Sequence, residues 1–153
     1  MTTTQTIQIA FDTTDPHAVA TFWAAALGYQ KEDNSGLVKQ LIDGGQLPVE
    51  ATVETEYGRE FADVTACVDP DGRRPRLFFQ RVPEKKSVKN RLHLDVRPPD
   101  SMDEEVERAL ALGATIDRRV DVEGSFWTIM FDPEGNEFCI LRGPEDGWSR
   151  PSL

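Results

Sequence analysis

The same turn stands twice in the chain, late in each half and flanked each time by apolar runs: Asp69-Pro70-Asp71-Gly72 and Asp132-Pro133-Glu134-Gly135. Proline holds φ at about −65°, which suits the second position of a β-turn, and the glycine supplies the positive φ that closes it. Each turn therefore predicts a strand, a tight connection and a second strand. The halves also share an earlier segment. Asp15-Pro16 precedes a run that ends in Ala26-Leu27-Gly28, and Pro99-Asp100 precedes one that ends in Ala111-Leu112-Gly113. Both read as capped amphipathic helices over residues 16–27 and 101–112, closed by glycine. A short β-like run comes before each, over residues 7–12 and 92–96. The order is strand, helix, strand, strand, strand, written twice. Gly28 and Gly113 lie 85 residues apart, whereas Pro70 and Pro133 lie 63 apart. The first half therefore carries about 22 extra residues between helix and turn, placed within residues 35–59.

A length of 153 residues suits a single domain built of two similar halves. Module one is expected over residues 6–83, module two over 90–142, and an irregular tail over 143–153. The net charge of −10 argues against nucleic acid, whose phosphates call for clustered Lys and Arg. The locally basic stretch of Lys85, Lys86, Lys89 and Arg91 reads as a solvated loop. No run approaches the roughly 20 apolar residues of a membrane span, and the opening residues are polar. Cys67 and Cys139 fall inside strand-like runs and read as reduced thiols of a cytoplasmic protein.

Along the chain, Ile7, Ile9 and Phe11 alternate with polar or small residues and belong to one face of a strand. Val19, Phe22, Trp23, Ala26 and Leu27 form a broad helical stripe, with Trp23 packed on the sheet and His17 on the polar side. Residues 29–33 predict a short strand. Within the extra segment, Leu37, Val38, Leu41 and Ile42 have helical spacing. Residues 51–56 read as an additional strand or an extended loop. This insertion suits a lid, a dimer contact or surface padding, and all three stay open. Residues 61–68 and 76–82 predict strands, and 83–89 the joint between halves. In the second half Leu92, Leu94 and Val96 belong to the helix layer, which turns His93 to the opposite side. Met102, Val106, Ala109, Leu110 and Leu112 predict the buried stripe of the second helix. Strands are expected over 114–122 and 125–131, and Trp148 is expected to pin the tail.

Several of these segments together resemble the vicinal oxygen chelate superfamily. They are His17-Ala18-Val19-Ala20-Thr21-Phe22-Trp23, Leu27-Gly28-Tyr29, Leu77-Phe78-Phe79-Gln80, His93-Leu94-Asp95-Val96 and Asp132-Pro133-Glu134-Gly135-Asn136-Glu137-Phe138. Within the superfamily the chain looks most like small bacterial glyoxalase-like proteins related to bleomycin-resistance proteins. The resemblance covers residues 6–142 apart from the insertion. It implies an α+β fold in which two βαβββ modules form a curved mixed, mostly antiparallel sheet that cups a pocket, with the helices outside. Metal-dependent members hold a divalent ion there, with ligands from the first and fourth strand of each module. The corresponding positions here are Gln8, Gln80, His93 and Cys139. This set carries no carboxylate to neutralise a dication or act as a base. A cysteine thiolate would also suit Zn²⁺ better than harder ions. No metal and no other cofactor is therefore expected. Glu137 and Asp95 face the same side and become ligands or bases if the register shifts.

Two functions follow from the resemblance. One is a metal-independent pocket for a small organic molecule, with lyase or isomerase chemistry by proton transfer. His93 would be the base, its ordinary pKa suiting that task, and Gln8 and Gln80 would orient a carbonyl. The other is a binding or sequestering protein of the bleomycin-resistance type, in which Gln8, Gln80, His93, Glu137 and Cys139 only line the site. Relatives of that kind are commonly dimers, so a homodimer is the expected assembly. A bland reading of Cys139 as a small core residue, and of Gln8 and Gln80 as partners of each other, stands beside both.

Overall fold

The computed structural model of the protein describes residues 5–150, and the chain divides into two compact units between Lys85 and Lys86, within the expected joint. Each unit is a βαβββ module, described here by itself.

In the first unit, β1 (Gln8–Thr13), α1 (Pro16–Leu27), β2 (Gln30–Lys31), β5 (Val64–Val68) and β6 (Arg76–Arg81) make up the module. Between β2 and β5 lie α2 (Ser35–Asp43), a 3₁₀ turn (Val49–Ala51), and a hairpin of β3 (Thr52–Thr55) and β4 (Gly58–Phe61). The sheet runs β1-β6-β5-β2, with β1 and β6 parallel and the other pairs antiparallel. Asp15 caps α1 by accepting from the Ala18 N–H, Pro16 sits in its first turn, and Gly28 ends it in the left-handed region at φ 65°. Val19, Phe22 and Trp23 are buried on the sheet, and Trp23 lies 5.6 Å from the Phe11 ring. Trp23 thus belongs to the core.

The second unit has the same plan: β7 (Leu94–Val96), α3 (Met102–Ala111), β8 (Thr115–Val122), β9 (Ser125–Phe131) and β10 (Glu137–Leu141), in the order β7-β10-β9-β8. Again the first and last strands of the module, β7 and β10, are parallel neighbours. Ser101 caps α3, and three acidic residues, Asp103, Glu104 and Glu105, stand in its first turn, where the helix dipole favours them. Both repeated turns form as read. The Gly72 N–H bonds the Asp69 carbonyl and the Gly135 N–H bonds the Asp132 carbonyl, each at 2.9 Å. Each turn is also stapled by its own buried aspartate. Asp69 accepts from the N–H groups of Arg73 and Arg74, and Asp132 from those of Glu134 and Asn136.

Some expectations are corrected. Ile7 and Leu92 are exposed, because β1 begins at Gln8 and β7 only at Leu94. Leu110 and Leu112 are also exposed; the stripe of α3 is Met102, Glu105, Val106 and Ala109. Glu105 is tolerated there because Arg108 bonds it at 2.7 Å. Residues 61–68 do not form one strand. Phe61 closes the insertion hairpin, where the Ala62 N–H bonds the Ala51 carbonyl, and β5 starts after a break. Trp148 does meet the body of its unit, with the Arg97 guanidinium 3.9 Å from its ring centre.

Candidate functional site

Strand alternation gives each sheet a helix face and an open face. In the second unit, Phe138, Ile140, Thr128 and Met130 are buried, and Thr128 Oγ1 reaches the Met102 sulfur at 3.5 Å, which marks their side as the helix face. The open face then carries Glu137, Cys139 and Leu141 on β10, and Trp127, Ile129 and Phe131 on β9. The parallel pairing of β7 sets Asp95 directly beside Cys139. His93, two residues before Asp95, lies on the same side.

These residues make a connected cluster. One ligand atom each from His93, Asp95 and Cys139 lies within 4.8 Å of the others. His93 Nδ1 stands 3.0 Å from Asp95 Oδ1, and both side chains are about half exposed. The Cys139 thiol is buried and lies beside Asp95. Burial, first, and the negative charge of Asp95, second, push this thiol up to about 11. Cys139 is therefore a neutral thiol, and Asp95 stands against both it and the His93 ring. With Nδ1 turned to the carboxylate, Nε2 is the ring nitrogen turned away from it. Beside the cluster, half-buried Trp127, Ile129 and Leu141 form an apolar floor.

Glu137 shares the open face but serves a different purpose. Its carboxylate accepts from the Asn90 backbone N–H at 3.0 Å and lies 3.5 Å from Lys86 and 3.8 Å from Lys89. Burial alone would raise its pKa, but these partners outweigh burial and hold it below its ordinary value. Glu137 thus remains ionised and anchors the segment before β7.

In the first unit, Gln8 and Gln80 share the open face without meeting. Gln8 is in register with Arg76, and Gln80 with Asp12. The two glutamines are four positions apart along the strands, about 13 Å. Gln8 Oε1 accepts from Arg76 Nη1 at 2.6 Å, while Gln80 Nε2 donates to Asp12 Oδ1 at 2.7 Å. Arg76 also grips both oxygens of Glu32 at 2.6 Å and stacks 5.5 Å from the Phe78 ring centre. The hydrogen bonds from Arg76 hold the Glu32 carboxyl below its ordinary range. Strand patterning does not reveal this Arg76–Glu32 fork; its one signal in the sequence is a charged residue at the start of a strand otherwise rich in Phe.

A family model described as a glyoxalase-like domain matches residues 8–141. The chain belongs to the glyoxalase-like family. That places it in the vicinal oxygen chelate superfamily, in line with its motifs. No curated protein matches the glyoxalase-like chain. Solved structures do match its fold. One is described as a glyoxalase/bleomycin resistance protein/dioxygenase family enzyme from Burkholderia phytofirmans PsJN. It is 18% identical with a TM-score of 0.55, covering 87% of this chain and 94% of that one. The fosfomycin resistance protein FosX from Mesorhizobium loti is 11% identical with a TM-score of 0.59, covering 92% of each chain. FosX from Listeria monocytogenes, complexed with Mn(II) and sulfate, is 12% identical with a TM-score of 0.58, covering 93% of this chain and 92% of that one.

The superfamily implies a divalent ion, and the residues answer that differently in the two modules. The first does not fit. Gln8 already serves a guanidinium cation, and Gln80 lies at the other end of the strand pair. The second offers nitrogen, oxygen and sulfur donors close together, a set that fits Zn²⁺ by chemistry.

Proposed function

We propose that this glyoxalase-like protein binds a small organic molecule and moves a proton on it without a metal, in the manner of a lyase or isomerase. The observation that carries the reading is the 3.0 Å contact between His93 Nδ1 and Asp95 Oδ1. In this reading the carboxylate orients the ring with a proton on Nδ1, and Nε2 is the atom that takes the substrate's proton. Asp95 stabilises the imidazolium that forms, and the Cys139 thiol holds Asp95 from its other side. Trp127, Ile129 and Leu141 offer an apolar seat for the body of the ligand. A substrate with an acidic C–H beside a carbonyl matches this set. Gln8 and Gln80 act as separate polar contacts of the first unit's open face. The free cysteines and the family suit a cytoplasmic homodimer, and that assembly belongs to the proposal.

The test needs no single named substrate. Carbonyl compounds and enolisable acids that raise the melting temperature are followed by proton NMR in D₂O. The expected result is exchange of one C–H, slowed by about 10²-fold or more in Asp95→Asn and abolished in His93→Ala. Exchange that survives His93→Ala defeats the reading. Binding without exchange leaves the sequestering protein instead.

A second reading has its own observation, the three donor atoms within 4.8 Å. His93, Asp95 and Cys139 would hold Zn²⁺, and the ion would supply Lewis acidity to a ligand oxygen. The metal content of the protein separates the two readings.

A further inference from the structure

Among the described residues of the first unit, two buried polar atoms have no hydrogen-bond partner, and they stand at one junction. Glu60, on β4 of the insertion, is 2% exposed. Its Oε1 accepts from the Asn34 backbone N–H at 2.8 Å, tying the hairpin to the start of α2. Its Oε2 is buried and unpartnered. His17, in the first turn of α1, turns Nε2 toward the Phe61 carbonyl at 2.8 Å. A carbonyl only accepts, so Nε2 carries the hydrogen, and Nδ1 of the neutral ring is a bare lone pair. Nδ1 is also buried and unpartnered. Phe61 follows Glu60 in the same strand, so the end of β4 engages both groups. With Glu60 ionised and His17 neutral, the junction would hold two acceptors and no donor between them, an arrangement that buried sites avoid.

We propose that Glu60 and His17 share one proton, directly or through one buried water, and that this proton is the latch fastening the insertion hairpin to α1. Either Glu60 Oε2–H donates toward His17 Nδ1, or His17 Nδ1–H donates toward the carboxylate. In both states one donor serves the two orphaned acceptors, and the pair titrates as a unit. The charged groups around it come from each neighbouring element. Asp33, before α2, is a second carboxylate close to Glu60 and opposes a second negative charge there. Lys31 on β2 pairs with Glu56 in the hairpin turn at 2.8 Å, and Glu56 interacts with His17. Burial raises the Glu60 carboxyl above its ordinary value, against the pull of the Asn34 N–H. A carboxyl raised on folding contributes fully below the ordinary carboxylate range and loses its contribution as pH rises through the raised value. The latch therefore closes on the acid side and loosens on the alkaline side. His17, Lys31, Val53 and Glu56 line a cleft of about 510 Å³ between α1 and the hairpin, and loosening the latch opens that cleft.

Two measurements on the full chain test this. In the wild type, the Glu60 carboxyl carbon and the His17 ring nitrogens, followed by NMR, should change with one common midpoint. Amide exchange should report the latch at Ala62, whose N–H bonds Ala51 across the hairpin at 3.0 Å, and at Asn34. Protection at both should fall by about tenfold or more as pH rises through that midpoint. Glu60→Gln keeps an acceptor for Asn34 and a donor for His17 but does not titrate, so its protection should stay level. Glu60→Ala should be poorly protected at every pH. Independent titration of Glu60 and His17 overturns the proposal. So does a Glu60→Gln profile that follows the wild type, or one that matches Glu60→Ala. If Glu60→Gln does not fold, the wild-type titration decides alone.

Discussion

Asp95 stands against both His93 and Cys139, and each neighbour gives a test. In a neutral His93 ring, the 3.0 Å contact with the Asp95 carboxylate favours a proton on Nδ1, the less common tautomer of a free imidazole. Nitrogen-15 NMR of the neutral ring should show the proton on Nδ1, moving to Nε2 in Asp95→Ala. The Cys139 contact makes a poor nucleophile. With its thiol pushed up to about 11, alkylation near pH 8 should run on the order of a hundredfold slower than for a free cysteine. Asp95→Asn should speed it, since that removes the charge but not the burial, the larger cause. Mass spectrometry of iodoacetamide-treated protein gives both rates. His93 was legible in the sequence because alternation within one strand turns it from the helix layer. Asp95 was legible only as a shifted-register alternative. Its place beside Cys139 depends on how β7 pairs with β10, and neither strand's own pattern states that. The same reason separates Gln8 from Gln80, which face one way but pair with Arg76 and Asp12.

At the level of elements, local signals carried the reading. Both repeated turns and both module helices are specified by Asp, Pro and Gly at fixed offsets, and they form within a residue or so of the expected places. The insertion hairpin is only half legible in the sequence. Its second strand, Gly58–Phe61, runs almost directly toward β5, so sequence shows one apolar stretch where the chain changes sheets. Between β8 and β9, Glu123 has φ 51° and Gly124 φ 80°, a turn that favours Asn-Gly. Glu123→Asn should stabilise the protein by up to about 1 kcal/mol, read as a higher melting temperature. The Arg76–Glu32 fork adds a pH dependence. The Glu32 carboxyl is lowered on folding, so its contribution is present above the ordinary carboxylate range and lost as pH falls through the lowered value. The stability difference between wild type and Glu32→Gln should accordingly shrink on acidification; a difference that grows would contradict the fork's role.

Across the whole chain, a duplicated module carries the fold, while chemistry differs between the copies. The first copy fills its open face with self-satisfied polar pairs, and the second groups an imidazole, a carboxylate and a thiol. A net charge of −10 is no obstacle to a small ligand and disfavours nucleic acid. In the proposed function His93 acts through Asp95 and not through a metal. Metal analysis of protein purified without chelator separates these two. The expected result is no stoichiometric Zn²⁺, Ni²⁺, Mn²⁺ or Fe²⁺ and no isomerisation of the glutathione hemithioacetal of methylglyoxal. About one equivalent of metal per chain, lost in His93→Ala, would contradict it and make His93, Asp95 and Cys139 the ligands of a metal site.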